Sequence, residues 1–502
     1  MSVSKIPKRL QTVSFFTGAA TMIIELAGSR IVAPYFGTSL IVWTALIGII
    51  MTSLCIGNWL GGTLADKRPE EKLLGRTLMF SAVIIAGTAY GSNFILSKIQ
   101  DLHINLYISS VYSSCAMFAP SSILLGMVQP FAVRLAMKDV KSSGGVVGRL
   151  SALNSAGSIL GTFLGGFVLI SLIPSAVILM LVATLLAFLS VIIYTGTWRK
   201  VSTLFVIAGA GLSYYAYNNG LPFSPVWEEK DTAYNHVILA ESIDRRNNRR
   251  VRLMITDPSS TQSLMYLDNP SELVSEYTKY YDLAFRYNPE IKRVLMLGGG
   301  GYSVPKHVLS QHKISMDVVE LDDGITEIAR KYFCLEDNPN LTIYHEDART
   351  FLNRSARDKI EPYDAIFMDT FNSAANIPFH LTTAETAVHL RNILNPGGVL
   401  VVNIISSIYG TKSGMLHGIY KAFSRSFGTM MIFPANAPDP KYAGALQNIM
   451  LIAGDMVPST VTSGDKYAEL LSHQWLEPFT PDPDVPAFTD SFAPVEKYAL
   501  MQ

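Results

Sequence analysis

Seven long apolar runs fill the first 219 residues, at about 12–33, 39–65, 74–97, 106–136, 149–171, 174–195 and 201–218. Nothing else in the chain restricts the fold as tightly. A bilayer core takes roughly 20 apolar helical residues to cross, so residues 1–219 are expected to form a membrane α-helical bundle of about seven spans. The last run is the weakest, being short and rich in Gly, Ser and Tyr. The first is long and is followed by others, and it reads as a span rather than a cleavable signal peptide.

Basic residues divide by loop. Lys5, Lys8 and Arg9 precede the first run, and Lys67, Arg68, Lys72 and Arg76 follow the second. Arg134, Lys138, Lys141 and Arg149 flank the loop after the fourth, and Arg199 with Lys200 the loop after the sixth. The intervening loops carry almost none beyond Lys98, which by the positive-inside rule places the N-terminus in the cytoplasm. Parity then decides the side of everything after residue 219. Seven crossings put it outside the cytoplasm; a seventh segment that is re-entrant or interfacial keeps it inside.

Two features of this half go beyond hydropathy. Glu25 and Arg30 sit in or near the first span, where ionisable residues are functional candidates; the plain alternative is a mutual ion pair, or Arg30 reaching for the interface. Gly157, Gly161 and Gly165, with Asn154 a turn earlier, form a small-xxx-small ladder of the kind that lets helices pack closely.

Charged residues are 16% of the chain, against roughly 25% in soluble proteins. That average conceals a division, since beyond about residue 220 the chain reads as ordinary globular sequence. A formal net charge of zero offers no basic field for nucleic acid, so no such partner is expected. Cys55, Cys115 and Cys334 have neither disulfide nor metal-ligand spacing. With no HxH, CxxC or HExxH pattern either, no metal is expected.

After a linker at Leu221–Trp227, short strands are expected in NHVILAES, RVRLMITD and SLMYL, giving a small β-hairpin domain over 220–268. A capped helix is expected from Asp268 to Tyr287, with Pro270 near its first turn. The remainder, 269–502, has the pattern of a Rossmann-like α/β domain. Arg293–Asp322 (RVLMLGGGGYSVPKHVLSQHKISMDVVELD) reads as a buried strand, four glycines, a helix and a second strand ending in acids. Glycines at such a turn let backbone approach a ligand, and the helix N-terminus favours polar or anionic groups. Strands are expected at Val294–Leu297, Met316–Leu321, Leu341–His345, Tyr363–Met368 and Val399–Asn403, with helices at Gly324–Tyr332 and about 382–394. In open parallel sheets ligands bind at the carboxyl ends of strands. Gly298, Gly299, Gly300, Gly301, Glu320, Asp347 and Asp369 therefore converge on one cleft, with Glu320 placed to accept hydrogen bonds from a ribose diol.

Residues 234–405 resemble the spermidine synthase (polyamine aminopropyltransferase) family, related to class I methyltransferases. The resemblance is carried by YNHV from Tyr234, TQS at 261–263, LGGGG at 297–301, VELD at 319–322, EDAR at 346–349 and MDTF at 368–371. It continues in IPFHLTTAE at 377–385, LNPGGVLVVN at 394–403 and FTDSFAPVE at 488–496. The whole chain is similar to membrane-fused members of that family. Gly61–Arg76 (GGTLADKRPEEKLLGR) further resembles the cytoplasmic loop between helices two and three of major facilitator transporters.

The resemblance implies a class I methyltransferase-type fold and an S-adenosyl co-substrate, decarboxylated S-adenosylmethionine or S-adenosylmethionine itself. Gly298–Gly301 would cradle its methionine-derived end, Glu320 the ribose, and Asp347 with Ala348 the adenine. Asp369 would be the catalytic carboxylate, holding or deprotonating an attacking amine. Tyr234, Gln262, Tyr277, Asn372 and His380 are candidates for the acceptor pocket, with Tyr280 beside them and His380 a candidate proton carrier. The sequence also departs from the family pattern. Gly301 stands where the glycine motif carries an acid, Asn372 replaces the second Asp of the catalytic motif, and EYTKYY brings Lys279 near the expected polyamine position. Fewer carboxylates suit an acceptor other than a polyamine.

The expected activity is transfer of an aminopropyl or other alkyl group to a small-molecule amine. The expected partners are that acceptor and the lipid bilayer, with a homodimer left open. The alternatives are an S-adenosylmethionine-dependent methyltransferase, a transporter or sensor with a nucleoside-binding domain, and an extracytoplasmic enzyme of altered chemistry.

Overall fold

The computed structural model describes residues 6–37, 39–102, 105–137, 143–194, 197–219, 228–232, 234–257, 260–370, 378–435, 439–455 and 465–500. The chain divides into two units, Met1–Val226 with Ala233–His236, and Trp227–Thr232 with Val237–Gln502.

The first unit is helical: α1 (Lys8–Phe36), α2 (Leu40–Lys67), α3 (Glu71–Gln100), α4 (Leu106–Ala136) and α5 (Ser143–Leu164). A π turn over Gly165–Leu169 continues α5 into the short α6 (Ile170–Leu172), followed by α7 (Ser175–Ile193) and α8 (Thr197–Asn219). Among the described residues, six helical stretches are long and apolar enough to cross a membrane, at 8–33, 40–67, 71–100, 106–136, 143–169 and 175–193. The expected seventh run forms a helix of its own. α8 is a helix of 23 residues but is not among the six, because Arg199, Lys200, three tyrosines and the closing asparagines dilute its apolar character.

Backbone contact between helices is made at glycines. A Cβ on Gly157 would lie 1.8 Å from the Phe15 carbonyl oxygen, and one on Gly161 2.4 Å from that of Ala19. The glycine ladder of α5 is thus the face on which α1 lies, at a separation no side chain permits. Polar pairs collect at one end of the bundle. Arg9 Nη2 meets Glu71 at 2.5 Å, Arg134 Nε meets Asp66 at 3.1 Å, and Arg149 Nη2 donates to Gln11 Oε1 at 3.2 Å. The basic loops singled out in the sequence therefore share a side. Large apolar side chains such as Trp59, Phe94 and Phe167 are exposed, whereas Ser110, Ser113, Ser114, Ser121 and Ser122 of α4 are buried.

The second unit contains two sheets. The small one has four strands in the order β1 (Glu228–Asp231), β2 (His236–Asp244), β3 (Arg249–Asp257) and β4 (Ser260–Tyr266). It is larger than the expected hairpin, gaining β1 from beside the linker. The large sheet contains β5 (Arg293–Leu297), β6 (Ser315–Glu320), β7 (Leu341–His345), β8 (Tyr363–Met368), β9 (Leu394–Ser406), β10 (Thr429–Pro434) and β11 (Gln447–Gly454). Its order is β10-β11-β9-β8-β5-β6-β7. The five strands from β9 to β7 pair in parallel, and β11 joins β9 and β10 antiparallel. From β5 the chain winds one way through β6 and β7 and then returns to place β8 on the other side. Its switch point therefore lies between β5 and β8, where such sheets hold ligands.

Strand alternation sorts the core. Val294, Met296, Phe367 and Val401 pack on the face that also receives Val237, Leu239 and Met254 of the small sheet. Leu295, Leu297, Ile366 and Val402 pack on the opposite face. The helix expected at Asp268–Tyr287 is not continuous. Turns occupy its first part, a 3-10 segment covers Glu276–Asp282, and only α9 (Leu283–Tyr287) is α-helical. Side chains compete there for the backbone's role: Asn269 binds Glu272, and the Thr278 hydroxyl donates to the Ser275 carbonyl. The turn Asn395–Gly398 belongs to β9, as a register irregularity opposite Tyr363–Ala365.

Candidate active site

The glycine loop joins β5 to α10 (Ser303–Gln311). Gly298 has φ +91°, and a Cβ there would lie 2.1 Å from the Asp369 carbonyl oxygen. Only glycine allows the tips of β5 and β8 to touch in this way. Gly299 is constrained from below, since its Cβ would meet the buried Tyr302 ring at 2.7 Å. Tyr302 itself takes φ +55°, and its hydroxyl lies 2.7 Å from Thr326 Oγ1.

Glu320 ends β6 almost fully buried. Its Oε2 accepts from the N–H groups of Gly299 at 2.8 Å and Gly300 at 3.1 Å, and its Oε1 from that of Asp322 at 2.9 Å. Burial raises its pKa against the pull of those three bonds. The carboxylate is thus first an anchor for the glycine loop. Four lone-pair positions less three bonds leave one for a further donor.

Asp369 follows β8. Its Oδ1 accepts from Asn403 Nδ2 at 2.9 Å and its Oδ2 from the Tyr277 hydroxyl at 3.2 Å. Asn403 is oriented in turn by Asn448, whose Nδ2 donates to Asn403 Oδ1 at 3.0 Å. The Tyr281 hydroxyl donates to the Met368 carbonyl at 3.2 Å. Burial pushes the Asp369 carboxyl above the usual carboxylate range, against the donated bonds. Burial and the adjacent carboxylate hold Tyr277 well above the ordinary phenol value. The arrangement is a carboxylate held in one orientation and biased towards taking up a proton.

The other sequence candidates fall in different places. Asp347 caps α12 (Ala348–Asp358) through Thr350 N–H at 2.9 Å, and its Oδ2 lies 3.1 Å from His380 Nε2. That contact lowers Asp347 to about 2. Ala348 opens α12, buried behind it. His380 is therefore the partner of Asp347 in this structure. Lys279 Nζ donates to Glu276 Oε2 at 2.7 Å. Tyr280 is buried with its hydroxyl on His473 Nδ1 at 2.5 Å. Tyr234 is exposed and takes no part in these contacts. Asn372 lies outside the described residues.

Two polar atoms near the loop have no partner among the described residues, Gln262 Oε1 and Thr370 Oγ1, and both are buried. Gln262 was singled out in the sequence; Thr370 follows Asp369 directly. Ser263 Oγ accepts from Gly301 N–H at 2.8 Å, and a Cβ on Gly301 would meet Ser263 Cβ at 2.8 Å and Phe333 at 3.1 Å. The acid missing at 301 therefore has no room here. Sequence reasoning missed Asn403, Asn448 and Ser263. An asparagine inside the apolar strand VLVVNII was a legible sign for Asn403, and Ser263 closes the TQS motif; nothing local marked Asn448. Among the described residues no group of three or more His, Cys, Asp or Glu could hold a metal ion.

A family profile described as spermine/spermidine synthase domain matches residues 279–460. That match lies within the C-terminal half of the chain. Over 282 residues the chain is 26% identical to a polyamine aminopropyltransferase of Vibrio vulnificus, covering 54% of this chain and 90% of that one. It is also 26% identical over 153 residues to an eEF1A lysine and N-terminal methyltransferase of Bos taurus, covering 28% of this chain and 22% of that one. Among solved structures, a probable spermidine synthase from Corynebacterium glutamicum aligns with a TM-score of 0.40 and 21% identity, covering 55% of this chain and 94% of that one. The spermine/spermidine synthase match spans the glycine loop, Glu320, Asp347, Asp369 and Asn403, and begins at Lys279, just after Tyr277.

Proposed function

We propose that this chain is a membrane-bound transferase that moves an aminopropyl group from decarboxylated S-adenosylmethionine to a small amine. The observation that carries this reading is the Asp369 carboxylate, set beside the glycine loop and oriented by Tyr277 and Asn403. The residues present suit the donor. The glycine loop keeps side chains out of the cleft, Glu320 retains one acceptor position, and the buried Thr370 and Gln262 oxygens lack partners among the described residues. The sulfonium of the donor is already a good leaving group, so the protein's part is placement and an uncharged nucleophile. Asp369 accepts a proton from the amine, the nitrogen lone pair forms the new C–N bond, and the C–S bond breaks to release a neutral thioether.

The acceptor carries fewer positive charges than a polyamine in this reading. Gly301 and Asn372 stand where the family pattern has acids, Asp347 is committed to His380, and Glu320 to the loop. Six crossings, which the exposed apolar faces of the helices support, return the chain to the side of its N-terminus. With the N-terminus cytoplasmic, the transferase unit lies where S-adenosyl donors are made.

A second reading, methyl transfer from intact S-adenosylmethionine, is favoured by one observation: the glycine loop lacks the acid that would repel a donor carboxylate. Product analysis separates the two. The full chain in lipid nanodiscs is supplied with each donor and a panel of mono- and diamines. Release of 5′-methylthioadenosine supports aminopropyl transfer, and S-adenosylhomocysteine supports methyl transfer. Neither product, with no calorimetric binding of either donor, refutes both readings.

A further inference from the structure

The transferase reading leaves one edge of the large sheet unused. β7 is the last strand on that side, and α11 (Asp323–Tyr332) precedes it in the chain. An open cavity of about 610 Å³ lies between them. Asp323, Glu327 and Arg330 stand at i, i+4 and i+7, on one face of α11, and line one wall. The half-buried Leu341 and Ile343 alternate along β7 and form an apolar floor. Glu336 and Asp337, in the return from α11 to β7, border the end opposite Asp323.

Four carboxylates therefore face this groove, and two of them are answered. Lys230 Nζ of β1 meets Glu327 Oε2 at 3.1 Å, and Arg330 meets Asp337. Asp323 and Glu336 have no hydrogen bond or ion pair among the described residues. These two charges do not form one focus. The Leu335 N–H returns to the Ala329 carbonyl at 3.2 Å, which sets Glu336 level with the last turn of α11. Asp323 opens the first turn, six or seven residues or about 10 Å away along the axis. The result is a groove with a free negative charge at each end and hydrocarbon between.

We propose that this groove binds a linear aliphatic diammonium ion, one ammonium at Asp323 and the other at Glu336, with the methylene chain along Leu341 and Ile343. Charge complementarity selects a dication, because two carboxylates are left unanswered. Their separation selects a long one. The apolar floor favours methylene groups, which lose their contact with water on it. A metal ion suits the groove poorly, since its carboxylates are dispersed: among the described residues no group of three or more His, Cys, Asp or Glu could hold one. The site lies away from Asp369 and does not depend on the transfer reaction.

The test is a calorimetric titration of 1,8-diaminooctane into the full chain in nanodiscs of zwitterionic lipid. The pH is 8, between the ordinary imidazole and ammonium pKa values of about 6.5 and 10.4. Saturable binding is expected, tighter than that of 1,3-diaminopropane, which is too short to reach both acids. Asp323→Asn and Glu336→Gln should each weaken it about two- to five-fold, as for a solvent-exposed ion pair. Together they should weaken it about four- to twenty-five-fold, since sites this far apart act additively. Glu477→Gln should change nothing, because Glu477 follows Trp475, whose N–H bonds Ile432 of β10 at the opposite edge of the sheet.

No saturable binding overturns the proposal. So does full affinity in the double variant, which assigns the diamine to the transferase cleft or another site. Equal affinity for the two diamines, or an equal loss in Glu477→Gln, reduces the effect to charge alone and is equally adverse. Binding of a lysine-rich peptide through these two acids, with none of the diamine, gives the groove to a protein partner and overturns the proposal as well. A chain that transfers no group yet loses diamine affinity in the double variant leaves this proposal standing while the transferase reading fails.

Discussion

The Tyr277 hydroxyl donates to Asp369 Oδ2 across 3.2 Å, joining a 3-10 segment to the tip of β8. On the other oxygen Asn403 does the same from β9. With both oxygens held, the carboxylate has few orientations left, and its position is set by three separate stretches of chain. This is the placement that displacement chemistry needs, since the nucleophile must approach in line with the departing sulfur.

Replacing Asp369 by Asn removes the proton acceptor while keeping shape and the Tyr277 contact. Transfer should slow by about 10²–10⁴-fold, the usual range for losing a general base. Donor affinity and thermal melting should barely change. Single-turnover kinetics beside calorimetric donor binding provide the check, and an undiminished rate would remove Asp369 from the mechanism.

The pH dependence follows from the direction of the Asp369 shift. Burial raises its pKa above the ordinary 3.8, so the carboxylate form needed to accept a proton is lost as pH falls through that raised value. Asn403 donates to the ionised form, and Asn403→Ala should move the acid limb of the rate profile to higher pH. For folding the sign is opposite. Between 3.8 and the raised value the folded state binds the proton more tightly, so this group's contribution to stability falls as pH rises across that window. A rate profile for Asn403→Ala that coincides with the parent, or moves to lower pH, contradicts the assignment.

Glu320→Ala deletes three charge-assisted bonds to backbone N–H groups, two of them in the glycine loop. The loop should loosen, and donor affinity should fall by about 1–3 kcal/mol. Hydrogen exchange at Gly299 and Gly300, together with calorimetry, reports both effects. Unchanged affinity with a loosened loop would limit Glu320 to a structural role.

In the helical unit, Gly157→Leu inserts a side chain where even a Cβ would stand 1.8 Å from the Phe15 carbonyl oxygen. Overpacking of this kind costs about 1–3 kcal/mol, and backbone cannot yield as a flexible side chain can. The expected result is a lower melting temperature in detergent, larger than for Leu at Gly148, where a Cβ meets nothing within 4 Å. Equal melting temperatures for the two variants would show that α1 and α5 are not packed this way.

Much of the architecture was open to reading because local chemistry decides it. Apolar length specifies the helices of residues 1–193, alternation and β-branched runs specify β5 to β8, and glycine at the β5 turn follows from the backbone contact with Asp369. The acids at the strand ends could be foreseen by the same logic, because parallel strands deliver their carboxyl ends to one edge. What each acid does there could not. Glu320 turned inward to hold the glycine loop and Asp347 turned to His380, choices made between partners 21 and 33 residues apart. Asn403 met Asp369 only because β9 lies beside β8, and Asn448 met Asn403 only because β11 returns antiparallel. Period and propensity act over a few residues. Which buried donor finds which buried acceptor is settled by strand order and register, and these exist only once the sheet has closed.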